Sequence, residues 1–284
     1  MYLVRSSMRA AVPRPVFRLS TASQSIAPLV RISLAGQSQR RSYADEPRTL
    51  QIYQIGVGSN DYIPPTGKSV PNWSKSPKLY GVYFRRQCMF HIRKLLRATY
   101  SRFKYKINLP LDELADQAEA LYIDLNLAFT RGDEDAIKKL STMFVSEALV
   151  DRIKGMSKEW KLYWELKEFL EEPELIDKSP IDLGDGSPVK FVQLTYRFHT
   201  KQEVKLVYKK NSKVPPQVQE RNVLDYIVVA YDLNTAEMRI VGSMFECPVT
   251  EPLPEQLSAT RQLLANMKEK GDIFRKKPSV KSLH

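Results

Sequence analysis

Apolar residues recur at two different spacings along this 284-residue chain, and the place where the spacing changes limits its fold more than any other feature. Up to about Pro173 the steps are three and four residues, the period of a helix with one buried face. After it the step is two, the period of a strand whose alternate side chains point to opposite faces.

In the first part, Phe84, Cys88, Ile92, Leu95, Thr99 and Phe103 share one helical face from Tyr83 to Lys104, while Arg86, Arg93, Arg97 and Lys104 recur on another. This predicts a basic amphipathic helix. A break at Asn108-Leu109-Pro110 precedes a second helix, with Leu111, Leu114, Ala118, Leu121, Tyr122, Leu125 and Phe129 in a wide apolar stripe. Asp112 and Glu113 suit its first turn and Gly132 its end. Asp133 and Asp135 open a third helical stretch with Ile137, Leu140, Phe144 and Leu149 inward. Ser157 reads as the N-cap of a fourth helix to Leu170, apolar on most sides through Trp160, Leu162, Tyr163, Trp164, Leu166 and Phe169.

In the second part, Val192, Leu194, Tyr196 and Phe198 alternate with Gln193, Thr195, Arg197 and His199, as in a half-buried strand over residues 190–199. Further strands are expected at about 202–208, 222–231 and 236–245, with turns at Gly184-Asp185-Gly186 and Asp232-Leu233-Asn234-Thr235. Helices first and strands afterwards exclude alternating parallel βαβ units. The expected fold class is α+β: N-terminal helices packed on a curved antiparallel sheet of about four strands, with an extended N-terminal arm.

The formal net charge of +12 is unevenly placed. The first 44 residues hold seven Arg, eight Ser and no acidic residue, the composition of a mitochondrial presequence. Arg40-Arg41-Ser42-Tyr43-Ala44 resembles a matrix processing site, so cleavage after Tyr43 is expected. Residues 44–80, broken by Pro47, Pro64, Pro65, Pro71 and Pro77, read as an extended Pro-rich arm. Residues 81–250 read as the helical and antiparallel-sheet domain, and 251–284 as a helical, basic tail. From Tyr62 to Leu111 there are eleven Lys or Arg and no acid. Residues 112–284 are mildly acidic, with 25 basic against 29 acidic side chains.

Several chemistries are excluded or unsupported by spacing. Gly67-Lys68-Ser69 ends like a phosphate loop, but the required first Gly falls on Tyr62. Gly56-Val57-Gly58 lacks the third Gly of a dinucleotide fingerprint. His91, His199 and His284 stand in no metal-ligand pattern, and Cys88 and Cys247 lie 159 positions apart. No nucleophile elbow is present. No run of about 18 apolar residues suggests a membrane span. The reading is of a protein that is not an enzyme and takes no cofactor.

What remains is the 62–111 segment. Its cations interleave with Trp73, Tyr80, Tyr83, Phe84, Phe90, Tyr100, Phe103 and Tyr105, a composition suited to phosphates with stacking contacts. The same helix suits an anionic membrane surface, its Phe and Leu stripe dipping into the interface. In a third reading the stripe packs on the sheet and the Arg face is simply solvated.

The order of these parts, with Trp160-Lys161-Leu162-Tyr163-Trp164, the run Gln193 to Gln202, and the pair around Tyr226-Ile227-Val228-Val229 and Arg239-Ile240-Val241-Gly242, resembles the fungal Mba family of mitochondrial ribosome receptors. That family is similar to a large-subunit protein of animal mitochondrial ribosomes and to the C-terminal domain of the matrix-side presequence translocase subunit. The resemblance covers roughly residues 80 to 250. The long charged helical region that precedes the domain in the translocase subunit is not seen here. The resemblance implies a peripheral protein on the matrix face of the inner membrane, holding the mitochondrial ribosome large subunit near its exit tunnel beside an Oxa-type insertase. It carries no catalytic residues. On this reading Arg85, Arg86, Arg93, Lys94, Arg97, Arg102 and Lys104 contact ribosomal RNA or anionic inner-membrane lipids. With about six phosphates neutralised, affinity would fall with salt at a log-log slope of about five. A constitutive protein of the mitochondrial ribosomal large subunit is the alternative.

Overall fold

The computed structural model describes residues 50–58, 61–157, 159–182, 188–209, 215–254 and 259–277. The expected presequence, the site after Tyr43, the turn at Gly184-Asp185-Gly186 and His284 lie outside them. Five helices and four strands follow in order: α1 (Pro77–Tyr105), α2 (Leu111–Arg131), α3 (Glu134–Leu140), α4 (Met143–Gly155), β1 (Trp160–Ile181), β2 (Phe191–Tyr208), β3 (Gln217–Asp232), β4 (Met238–Met244) and α5 (Thr260–Gly271). The strands form one antiparallel sheet in sequence order, β1-β2-β3-β4, as the helix-then-strand pattern requires.

α2 begins and ends where its sequence signals put it, whereas α1 starts at Pro77, six residues before the expected Tyr83 and inside the stretch read as arm, with the proline in its first turn where no N–H is needed. Lys106 closes α1 in the left-handed conformation, φ 52°. Gly132 closes α2 at φ 72°, its N–H donating to the Ala128 and Phe129 carbonyls. The third helical stretch is split. Asp133 caps α3 by accepting from the Ala136 N–H at 3.0 Å. The chain then leaves the helix at Ser141-Thr142, where the Thr142 N–H donates to the Ile240 carbonyl at 2.9 Å, so α4 restarts against β4.

The fourth expected helix does not form. Trp160 to Leu170 lies in β1, a 22-residue strand whose partner is β2. Trp160, Leu162, Trp164 and Leu166 are an alternating set, and the helical reading arose because Tyr163 and Phe169 fall off that alternation. Phe169 is displaced by the register shift between Leu166 and Glu168, and a further shift between Glu171 and Glu174 contains Pro173. A proline is tolerated there because β1 is an edge strand and the missing N–H falls at an irregularity. The change of period therefore comes at Trp160, not after Pro173. The strands expected at 190–199 and 202–208 are one continuous strand, β2, paired to β3 from Phe191 to Leu206. The count of four strands holds because β1 replaces the one lost by that merger.

At the end formed by residues 191–198, 226–230 and β4 the sheet is covered on both faces, while the start of β3, residues 217–222, is exposed. On one side Val192, Leu194, Tyr196, Phe198, Ile227, Val229 and Ile240 pack against Leu114, Ala118, Tyr122 and Leu125 of α2, Ile137 of α3 and Leu149 of α4. Tyr122 stacks on Phe198 with ring centroids 4.7 Å apart. Its hydroxyl donates to Asp225 Oδ2 at 2.7 Å and accepts from Gln202 Nε2, also at 2.7 Å. Burial pushes the Asp225 carboxyl above the usual range.

The other side was expected to be solvated, but Gln193 and Thr195 are buried there. The cover is the N-terminal arm. Ile52, Ile55, Val57 and Ile63 pack against Phe191, Tyr226, Val228, Val241 and Met244. Gln193 Nε2 donates to the Gly56 carbonyl at 2.8 Å. Thr66 donates through its N–H (3.1 Å) and hydroxyl (2.6 Å) to the buried carboxylate of Glu246, which also accepts from Tyr226 Oη at 3.0 Å. The arm is extended, as its prolines suggest, and it is also pinned. At Gly242 a Cβ would lie 2.4 Å from the Lys270 carbonyl oxygen, so only glycine lets α5 approach β4 this closely.

Candidate interaction surface on the first helix

An amphipathic helix placed beside a sheet normally turns its apolar stripe inward. α1 turns only Phe90 and Tyr105 against the buried clusters and leaves most of its apolar stripe outside. Of its 29 residues only Ser101 is buried. The outward face carries Phe84, Ile92, Leu95, Leu96, Tyr100 and Phe103, with exposures from 45% at Tyr100 to 79% at Phe103, and Met89 lies at its edge, beside the cavity. Trp73, just before the helix, is 63% exposed and meets Tyr80 edge to face.

The inward face is held by charge. The Arg97 guanidinium bridges two carboxylates, Asp61 of the arm at 2.7 Å and Asp177 of β1 at 2.9 Å. Lys94 Nζ donates to the Leu175 carbonyl at 2.8 Å, and Arg86 reaches the Pro248 carbonyl at 3.4 Å. Burial pushes the Asp177 carboxyl up to about 6, against the pull of Arg97 and aided by the neighbouring Asp61 charge. The two carboxylates hold Arg97 firmly in its charged form despite its burial. These contacts border a cavity of about 340 Å³ between α1, the arm and the sheet, lined also by Ile63, Phe90, Ile176 and Met244. It is at the small end of ligand pockets, and its deepest charged groups already pair with each other.

The seven cations singled out in the sequence therefore divide. Arg86, Lys94 and Arg97 are turned towards the body and bonded to it. Lys104 is exposed at the helix end, 5.2 and 4.8 Å from the Tyr100 and Tyr105 ring centroids and 4.0 Å from Asp182. Its pKa is raised, first by hydrogen bonding to those two tyrosines. Arg85, Arg93 and Arg102 are exposed, with no ion pair among the described residues. Arg85 and Arg102 flank the apolar stripe, while Arg93, exposed, stands with Arg85 at the rim of the cavity.

The sequence reading missed Asp61, Asp177 and Glu246, the acids that decide which way α1 and the arm face. Asp61 is the last acid before the uncompensated basic run, and that position was the available signal. Asp177 is concealed inside the misread β1.

These observations define a class: a mixed α+β domain whose sheet is covered on both faces at one end and whose distinctive exposed feature is a basic, apolar helix. No described helix is long and apolar enough to cross a membrane. The particular family follows from comparison. The profile of the MBA1-like protein family matches residues 41–279, and the chain belongs to that family. Among curated relatives, the inner membrane mitoribosome receptor MBA1, mitochondrial, of Saccharomyces cerevisiae (strain ATCC 204508 / S288c) is 30% identical over 227 residues, 79% of this chain and 80% of the relative.

Proposed function

We propose that this protein is a mitochondrial ribosome receptor, bound peripherally to the matrix face of the inner membrane. It holds the large subunit with its exit tunnel beside an Oxa-type insertase, so that mitochondrially encoded membrane proteins are inserted as they are made. The observation that supports this reading most is the surface of α1, in a chain whose yeast relative is named an inner membrane mitoribosome receptor. A helix with exposed Arg85, Arg93, Arg102 and Lys104 and no intervening acid is built to meet phosphates. Those phosphates belong to ribosomal RNA or to acidic lipid headgroups at the docking site.

The geometry sharpens the electrostatic expectation. Arg86, Lys94 and Arg97 are engaged internally, so about four cations rather than six are left for outside phosphates, and the log-log salt slope of phosphate binding through this helix, on RNA or on acidic lipid, drops to about three or four. Charge reversal belongs at Arg93 and Arg102, because reversal at Arg97 would break the fold. The functional test is fractionation of mitochondria with and without ribosomes. A receptor stays on the membrane when ribosomes are stripped, whereas a constitutive large-subunit protein leaves with them.

A further inference from the structure

We infer that the outward face of α1 is the membrane-inserting element, lying along an anionic bilayer with its apolar ridge at the boundary between headgroups and acyl chains. This deepens the receptor reading and rests on its membrane association, assigning to one surface the contact with lipid. The outward positions Ile92, Leu95, Leu96, Thr99 and Phe103 follow the three-and-four-residue step of a single helix face, opposite Lys94, Arg97 and Ser101. Ile92, Leu95, Leu96 and Phe103 are each at least half exposed. With Phe84 the apolar ridge runs roughly 28 Å along the helix.

The occupant is read from charge and shape. Arg85 and Arg102 border the ridge, Arg93 stands exposed at the rim of the cavity beside it, and the chain has no acid from Tyr62 to Leu111, a complement to anionic headgroups. The apolar side chains stand on the convex crest of a helix, not in a groove. A fluid acyl region conforms to such a crest, whereas a folded protein partner would need a matching trough. Trp73 and Tyr100 have the amphipathic character of side chains that settle at headgroup level. A helix this charged lies on the bilayer and does not cross it. The inward salt bridges then have a purpose: Asp61 and Asp177 take up Arg97 and leave the apolar side free.

The test is flotation of the purified full chain with phosphatidylcholine vesicles, with and without about one-fifth cardiolipin. The chain should float with the anionic vesicles and only weakly with the neutral ones. The triple variant Ile92→Ser, Leu96→Ser, Phe103→Ser should bind anionic vesicles at least about tenfold more weakly at an unchanged melting temperature. Leu96→Trp should float as well as wild type or better, with emission shifted to the blue on binding. Failure of the wild-type chain to float, or equal flotation by the triple variant, would overturn the inference. So would loss of lipid-free ribosome co-sedimentation by a triple variant that still floats, since the ridge would then be a ribosome contact. Failure of the receptor reading shows separately, as a wild-type chain that floats but does not bind ribosomes.

Discussion

α1 and α2 are consecutive amphipathic helices built to opposite plans. α2 buries Leu114, Ala118, Tyr122, Leu125 and Ala128 beneath the sheet and sends Asp112, Glu113, Asp116 and Asp124 to solvent. α1 keeps three of its cations, Arg86, Lys94 and Arg97, on the inside, bonded to Asp61, Asp177 and two backbone carbonyls, and apart from Phe90 and Tyr105 leaves its large apolar residues outside or half-exposed. The difference teaches that amphipathicity alone does not orient a helix. The side with partners becomes the inside, and in α1 those partners are carboxylates and carbonyls. α2 is scaffold, and α1 is a surface the scaffold presents.

The widest test of this contrast is a pair of truncations. Leu125→Ala on α2, at a site with 0% exposure, should cost about 3 kcal/mol in urea unfolding. Leu96→Ala on α1 should stay within about 0.5 kcal/mol of wild type. A comparable loss at Leu96 would break the comparison, because α1 would then bury its ridge within the fold.

Next in size is the bridge that orients α1. Arg97→Ala leaves Asp61 and Asp177 facing each other without their shared cation, at a cost of about 2 kcal/mol after allowance for partial exposure. Arg93→Ala, a turn away and exposed, should leave the unfolding curve in place. Equal effects at the two positions would mean that the inward and outward cations are not distinct.

Acid titration sharpens the same point. The Asp177 carboxyl, pushed up to about 6, holds a proton in the folded chain that the unfolded chain has released above its ordinary range. Its contribution to stability is therefore present below about pH 4 and lost as the pH rises through about 6, on the order of 1 kcal/mol. Asp177→Asn should flatten that part of the stability profile, read from melting temperatures across this window. An unchanged slope would place the buried carboxylate's titration elsewhere. Smallest is the helix end: Lys106 is left-handed at φ 52°, so Lys106→Gly should add about 0.5 kcal/mol.

Much of this was legible in the residues. The two long helices, the strands beginning near Phe191 and ending near Met244, and the acid-free basic segment are local patterns, read from side chains a few positions apart. β1 was not legible as a strand, because Leu, Glu and Lys favour helices and its register shifts interrupt the alternation that Trp160, Leu162, Trp164 and Leu166 begin. The burial of the arm depends on Glu246, 180 positions from Thr66. The orientation of α1 depends on Asp61 and Asp177, 36 and 80 positions from Arg97. Periodicity says that a helix has two faces. Which one is inside is a fact about partners distant in sequence.

The most direct measurement of the central claim is the depth of a spin label on vesicles containing cardiolipin. The full chain would carry Cys88→Ser and Cys247→Ser, with the label at Leu96→Cys on α1 and, in a second preparation, at Gln117→Cys on the exposed side of α2. The account predicts that vesicles shield the label at position 96 from a water-soluble nickel reagent and open it to oxygen, while the label at 117 stays in water. A label at 96 that remains as accessible to nickel on vesicles as in solution would contradict it.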